Sequence, residues 1–82
     1  MNYYKITYQI TINGGELDGG ILKAKTSRVV HNKTPTLKSK IEETYRQDYP
    51  LPNSVAAVMI TVSPISEEIF NSLDRVKSLQ FE

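Results

Sequence analysis

Apolar and polar residues alternate strictly over the first part of the chain, from residue 2 to residue 12. The apolar positions fall on one face of an extended segment: Tyr4, Ile6, Tyr8, Ile10 and Ile12. A period of two in aromatic and β-branched residues is typical of a strand that buries one side. The pattern therefore predicts a first, half-buried strand over residues 2–12.

All four glycines of the chain lie in the next segment, residues 13–20. Glycine adopts positive φ angles without a Cβ clash, so this segment is predicted to be the turn of a hairpin. Residues 21–26, with a weaker alternation, are predicted to form the second, antiparallel strand. A phosphate-binding loop is the alternative, but the glycine spacing fits no such motif, and Glu16 and Asp18 would repel phosphate.

A helix is predicted after the polar, irregular segment 27–34. Thr34 is a good N-cap and Pro35 a good first helical residue. Apolar residues then recur every four positions and form one stripe: Leu37, Ile41, Tyr45 and Tyr49. Pro50 and Pro52 are predicted to end this helix, because proline lacks the backbone donor and disfavours helix in the preceding residue.

Residues 55–62 are apolar at nearly every position, which predicts a third strand covered on both faces. A second helix follows, capped by Ser63 or Ser66, with Glu67 and Glu68 in its first turn. Its apolar positions predict a buried stripe of Ile69, Phe70, Leu73 and Val76.

The tail from Ser78 either frays or packs against the domain through Leu79 and Phe81. The predicted order is thus ββαβα in a single globular domain over residues 1–82, an α+β fold. A right-handed crossover makes the third strand parallel to the second. The sheet is expected to have three strands in the order 2-1-3, with both helices on one face.

This topology leaves two surfaces uncovered. The third strand would be an edge strand without a charged residue, and natural proteins normally protect such edges. The sheet face opposite the helices would also be open. Pairing of two copies through the third strand or the open face would cover both, so a homodimer is predicted.

The composition narrows the class of protein. The chain has 82 residues, which suffices for one small core, and it contains no cysteine. Its first residues run directly into the strand pattern rather than into a basic segment and an apolar block, so no signal peptide is predicted. No apolar run is long enough to cross a membrane. A cytoplasmic protein without membrane association is therefore expected.

Catalytic chemistry has little support in the residues present. His31 is the sole histidine, so a metal site would have to be completed by carboxylates or by a second subunit. Glu42 and Glu43 are adjacent and point about 100° apart on a helix, which indicates a solvated face rather than a catalytic pair. The chain is predicted to be no enzyme and to need no cofactor or metal.

The charge distribution is the most uneven feature. The total is +1, yet residues 21–41 contain six basic residues and no acidic one. This predicted basic patch consists of Lys23, Lys25, Arg28, Lys33, Lys38 and Lys40. Such a patch suits an acidic protein partner or nucleic-acid phosphates, although lysines also simply keep a sheet soluble.

A non-enzymatic module that binds another protein is the predicted function, and small cysteine-free domains of this size are typical of bacterial or phage accessory proteins. The alternative is sequence-independent nucleic-acid binding through the basic patch between residues 23 and 40. No KH, RRM, double-stranded-RNA-binding or helix-turn-helix signature supports a specific nucleic-acid fold.

Overall fold

The computed structural model describes residues 1–12, 15–48 and 55–81. Its elements in chain order are β1 (Asn2–Ile12), β2 (Gly15–Thr26), α1 (Leu37–Asp48), β3 (Val55–Ile65), α2 (Glu67–Ser72) and β4 (Lys77–Leu79). Over these described ranges the strands form one mixed sheet in the order β3-β1-β2-β4.

The predicted α+β class is confirmed, whereas the predicted three-stranded sheet is wrong. Strand β1 lies between β2 and β3 and runs antiparallel to both, which agrees with the central place predicted for it. The additional strand, β4, pairs in parallel with β2 through Leu22–Ala24. Only three residues long, β4 is too short for a pattern of alternation to reveal it.

The core lies between α1 and the face of the sheet that carries the even-numbered residues of β1. Ile6, Ile10 and Ile41 are fully buried there, as the alternation in β1 and the stripe on α1 predict. Leu79 and Phe81 are buried in the same cluster. The tail therefore packs rather than frays, because its two large apolar side chains extend the core beside β2.

The two helices pack on opposite faces of the sheet, so the prediction of both on one face is wrong. Successive side chains of a strand point to opposite faces, and Tyr4 faces the core with α1. Phe70 of α2 instead contacts Tyr3, with 5.1 Å between the ring centroids. Ile65, the last residue of β3, pairs with Tyr3, and only Ser66 lies between Ile65 and α2. The chain therefore enters α2 on the sheet face that carries the side chain of Tyr3.

Strand β2 is longer than predicted, because it begins at Gly15 and includes Gly19 and Gly20. A Cβ atom on Gly20 would lie 2.7 Å from the hydroxyl oxygen of Tyr8, its partner in β1. A Cβ atom on Gly19 would lie 2.8 Å from the backbone oxygen of Tyr8. These glycines thus serve close packing within a strand rather than a turn. Residues 13–14 of the predicted turn lie outside the described residues.

Strand β3 contains a β-bulge opposite Tyr8. Thr7 pairs with Thr61, but Gln9 pairs with Val58. Two residues of β3, Met59 and Ile60, therefore lie opposite the single residue Tyr8 of β1. Met59 has a φ of 51° and is 74% exposed. Strand β3 extends to Ile65 and lies at the edge of the sheet, as the predicted order implies. Because Met59 and Thr61 are exposed, the prediction of a strand covered on both faces is wrong.

Helix α1 begins later than predicted. The hydroxyl of Thr34 accepts a hydrogen bond from the backbone N–H of His31 at 2.9 Å, so this side chain does not cap the helix. The backbone oxygen of Thr36 accepts from the N–H of Lys40 at 3.0 Å, which marks the first full helical turn. Tyr49, Pro50 and Pro52, predicted to end the helix, lie outside the described residues.

Helix α2 has six residues and begins after Ser66, whose hydroxyl accepts from the N–H of Ile69 at 3.2 Å. This decides between the two predicted caps. No residue of α2 is buried, and Leu73 and Val76 lie beyond its end, so the predicted buried stripe is wrong. The four apolar residues have helical spacing, but the helix ends at Ser72 and the chain turns before β4.

Candidate binding surface

Lys23 of the predicted basic patch is held by α2. Its ammonium donates hydrogen bonds to the backbone oxygens of Leu73, at 2.7 Å, and Phe70, at 3.4 Å. It also lies 4.6 Å from the centroid of the Phe70 ring. Carbonyl groups at the end of a helix carry partial negative charge and have no partner within the helix. Lys23 therefore stabilises α2 and is not free to meet a ligand.

Two further members of the predicted patch make contacts within the domain. The ammonium of Lys38 lies 2.7 Å from the carboxylate of Glu42, one helical turn away. The ammonium of Lys40 lies 5.6 Å from the centroid of the Phe81 ring. Attraction to a ring at this distance is weak but directs the side chain toward the tail. Half of the predicted patch is thus engaged internally.

The other three members of the predicted patch, Lys25, Arg28 and Lys33, are exposed. Over the described residues the ion pairs are those of Lys38 and Lys77, so these three cations have no acidic partner there. Val29 stands among them with 74% of its surface exposed. We call Lys25, Arg28, Val29 and Lys33 the connection surface, because three of the four lie between β2 and α1.

The backbone of this connection is held at several points. The hydroxyl of Tyr4 accepts a hydrogen bond from the N–H of buried Val30 at 3.2 Å. The side chain of Asn2 donates to the backbone oxygen of Arg28 at 3.2 Å. The N–H of Lys33 donates to Nδ1 of His31 at 3.1 Å. Exposed side chains on a fixed backbone lose less conformational entropy on binding than those on a mobile loop.

Helix α2 covers one end of the other sheet face through polar and aromatic contacts. The hydroxyl of Tyr3 donates to the carboxylate of Glu67 at 3.1 Å. Desolvation, together with the hydrogen bond to Glu67 and its negative charge, raises the pKa of Tyr3 above its ordinary value. Tyr3 thus anchors α2 through both its hydroxyl and its ring.

Lys5 belongs to the same sheet face but was not part of the predicted patch. It is the direct cross-strand partner of Lys23. Like charges placed opposite each other repel, and the carbonyl oxygens of Phe70 and Leu73 hold the ammonium of Lys23 in place. The alternation in β1 places Lys5 on the same strand face as Tyr3. Which residue of β2 lies opposite Lys5 depends on the register of the hairpin.

Glu42 has a structural task that the sequence did not indicate. Its carboxylate accepts a hydrogen bond from the backbone N–H of Ala57, at 2.9 Å, besides its contact with Lys38. Arg46, one turn later, donates to the backbone oxygen of Val55 at 3.2 Å. Two side chains of α1 therefore occupy the outer hydrogen-bonding groups at the start of β3, where an additional strand would otherwise pair.

The environment of Glu42 also changes its acidity. Burial acts to raise the pKa of Glu42, but the hydrogen bonds from Lys38 and Ala57 and the charges of Lys38 and Arg46 outweigh it. The pKa of Glu42 accordingly lies below its ordinary value. The interpretation of Glu42 as part of a solvated face is wrong, whereas neighbouring Glu43 is exposed.

Groups for acid–base or metal chemistry are dispersed. His31 is exposed, and its Nδ1 accepts a hydrogen bond from the backbone N–H of Lys33. Within residues 1–12, 15–48 and 55–81, no three His, Cys, Asp or Glu side chains lie close enough together to hold a metal ion. In the same ranges no helix is long and apolar enough to cross a membrane.

Comparison of the chain with protein-family models, with curated proteins and with solved structures finds no match.

Proposed function

We propose that this protein is a non-enzymatic binding module whose connection surface binds an acidic segment of a partner protein. One observation carries the proposal: Lys25, Arg28 and Lys33 are exposed and lack acidic partners among the described residues, while the other cations of the predicted patch have internal contacts. Positive side chains on a backbone that hydrogen bonds keep in place attract an acidic partner and fix its orientation.

Val29 favours a protein partner over nucleic acid. Its exposed apolar side chain follows Arg28 directly, so the surface offers an apolar contact beside positive charges. The centres of protein interfaces combine apolar contacts with arginine, whereas binding to phosphate backbones depends mainly on the number of cations. A segment with one apolar residue flanked by Asp or Glu complements the connection surface.

Selection from a library of random 12-residue peptides, displayed against the immobilised protein, tests this proposal. We expect enriched peptides to carry Asp or Glu on both sides of an apolar residue. A triple variant, Lys25→Gln with Arg28→Gln and Lys33→Gln, should bind them at least tenfold more weakly, since each charged contact contributes about 1 kcal/mol or more when partly desolvated.

A matched control removes the same number of charges elsewhere, at cations that have internal contacts, through Lys38→Gln, Lys40→Gln and Lys77→Gln. The affinity of this variant for the acidic peptides should lie within about threefold of that of the original protein, because exposed charges outside the interface contribute little. Enrichment without acidic residues, or equal weakening by both triple variants, would contradict the proposal.

Sequence-independent nucleic-acid binding is distinguished by its salt dependence. Three phosphate contacts on a DNA duplex predict a loss of affinity of about fortyfold between 50 and 200 mM salt, and six predict more than a thousandfold. Fluorescence anisotropy with a 20-base-pair duplex measures this slope. We expect weak binding that falls by no more than the smaller factor, and a steeper slope would favour nucleic acid as the ligand.

The predicted homodimer, through β3 or through the sheet face expected to be open, stays a prediction, although α2 covers one end of that face. The contacts of Glu42 and Arg46 and the bulge at Met59 restrict the accessible part of the β3 edge to the segment after Met59. Light scattering at tens of micromolar measures the mass directly, and a monomeric mass would end this prediction.

A further inference from the structure

The outer edge of β2 has no neighbouring strand over part of its length. Strand β4 pairs with β2 only at Leu22–Ala24, although β2 begins at Gly15. No other described strand lies beside the segment that precedes Leu22. Backbone groups on such an edge are available to pair with an added chain.

The strand register shows which groups point outward. The N–H of Ala57 bonds to Glu42 at the outer edge of β3, so its partner Ile10 directs its own backbone groups toward β2. Asp18, the partner of Ile10 in β2, then faces inward, and Gly19 and Ile21 face outward. The hydrogen bond from the N–H of Gly19 to the side chain of Asp18 agrees with this assignment. The outward groups left for an added chain are the carbonyl of Gly19 and the N–H of Ile21.

A cavity of about 270 Å³ adjoins this edge. Its lining includes Tyr8, Gly20 and Tyr45 on the sheet and helix side, and Arg75 and Lys77 before and at the start of β4. The volume is slightly below the range typical of small-molecule pockets, about 300–1,000 Å³, and suits one end of a peptide.

Charges are distributed unequally along the cavity. Arg75 and Lys77 lie at the end next to Leu22, where β4 begins. Lys77 is paired with Asp48 at 3.0 Å, whereas Arg75 is exposed and has no acidic partner among the described residues. Asp18 lies at the other end. A carboxylate is therefore favoured at the Arg75 end and repelled at the Asp18 end.

We propose that this edge cavity binds the C-terminal residues of an extended peptide, added parallel to β2. In that direction one peptide residue donates its N–H to the Gly19 carbonyl and accepts from the N–H of Ile21. The chain then ends beside Arg75, whose guanidinium pairs with the terminal carboxylate. An antiparallel peptide would instead place an N-terminal ammonium beside Arg75 and Lys77. This site is separate from the connection surface and is independent of the function proposed for it.

An array of random hexapeptides tests the edge cavity, each sequence being made once with a free C-terminal carboxylate and once as the carboxamide. We expect a subset of the free acids to bind, and their amides to bind at least tenfold more weakly, because a charged hydrogen bond is lost. Equal binding of acids and amides, or no binding by any peptide, would overturn the proposal.

Two single variants separate this site from the connection surface. Arg75→Gln should weaken binding of the selected free-acid peptides at least fivefold, whereas Arg28→Gln should leave it within twofold. In NMR titrations with one selected peptide, the amide signal of Ile21 should shift and that of Val29 should not. The opposite result, in which Arg28→Gln abolishes binding and Arg75→Gln does not, would overturn the edge cavity and support the connection surface.

Discussion

The carboxylate of Glu42, on helix α1, accepts a hydrogen bond from the backbone N–H of Ala57, on the outer edge of strand β3, at 2.9 Å. Together with the bond from Arg46 to Val55, this contact makes the helix serve as a partial partner for an edge strand. Edge strands in natural proteins are protected by charges, bulges or prolines. This domain combines all three on β3, through Glu42 with Arg46, the bulge at Met59, and Pro64.

Replacement of Glu42 should change how stability depends on pH. The pKa of Glu42 is lowered in the folded state, so its ionised form contributes stability above its ordinary pKa of 4.5. That contribution is lost as the pH falls through the lower folded-state pKa. Glu42→Gln should lower the free energy of unfolding by about 1–2 kcal/mol at pH 7 and reduce its fall between pH 5 and pH 3. Urea unfolding at several pH values measures both effects.

Glu43→Gln provides the matched control for this pH experiment. Glu43 is the adjacent helical residue and is exposed, so its replacement should change the free energy of unfolding by less than about 0.5 kcal/mol. An equal pH dependence in the Glu42 and Glu43 variants would show that the contacts of Glu42 with Lys38 and Ala57 contribute nothing measurable.

Replacement of Lys23 should loosen α2 without unfolding the domain. Lys23→Gln removes the ammonium that bonds to the carbonyls of Phe70 and Leu73. We expect amide hydrogen exchange over residues 67–73 to become at least fivefold faster, since about 1 kcal/mol of local stabilisation is lost. Lys25→Gln, on the same strand face but exposed, should leave this exchange unchanged. Unaltered exchange in the Lys23 variant would show that the contacts of Lys23 contribute no measurable stability to α2.

The glycines of β2 should differ sharply in their tolerance of alanine. A Cβ atom at Gly19 would meet the backbone oxygen of Tyr8 at 2.8 Å, which a side-chain rotation cannot relieve. Gly19→Ala should therefore lower the free energy of unfolding by about 1–3 kcal/mol. At Gly15 the nearest atom, the backbone oxygen of Ile12, is 3.5 Å away, so Gly15→Ala should be neutral or slightly stabilising. Thermal melts of the two variants compare them, and equal losses would show that the crowding at Tyr8 is relieved by backbone adjustment.

Replacement of Met59 by a residue that adopts a positive φ without strain should raise the stability of the domain. The φ of 51° costs a residue with a Cβ about 1–2 kcal/mol, and the exposed side chain gains little from packing. Met59→Gly should raise the free energy of unfolding by a few tenths to about 1 kcal/mol, after allowance for the greater flexibility of glycine in the unfolded chain. Thr61→Gly, two residues later in ordinary strand, should lower it. A loss of stability in the Met59 variant would show that the bulge needs this side chain.

Local sequence pattern determined the parts of the fold whose burial follows a simple period. The alternation in β1 and the four-residue spacing of Leu37, Ile41 and Tyr45 both lead directly to the observed core, because periods of two and about 3.6 bring apolar residues to one face. The cap of α2 was narrowed to Ser63 or Ser66, since a capping hydroxyl acts within one helical turn, and the structure selects Ser66.

Segments whose pattern was ambiguous depended on contacts distant in sequence. Gly19 and Gly20 were predicted as a turn because glycine permits one, but the packing of Tyr8 makes them part of a strand. The apolar residues 55–62 indicated burial on both faces, yet Met59 and Thr61 are exposed, because the cover over β3 depends on where other elements pack.

The sequence by itself determined the α+β class, the β1–β2 hairpin, the core face of α1 and the excess of positive charge between residues 21 and 41. Only the tertiary structure decided which of those charges are exposed. Lys23 bonds to α2 and Lys38 to Glu42, whereas Lys25, Arg28 and Lys33 remain exposed. The physical reason is that charge is a property of composition, while its availability depends on the acids, carbonyls and rings that folding brings within a few ångströms.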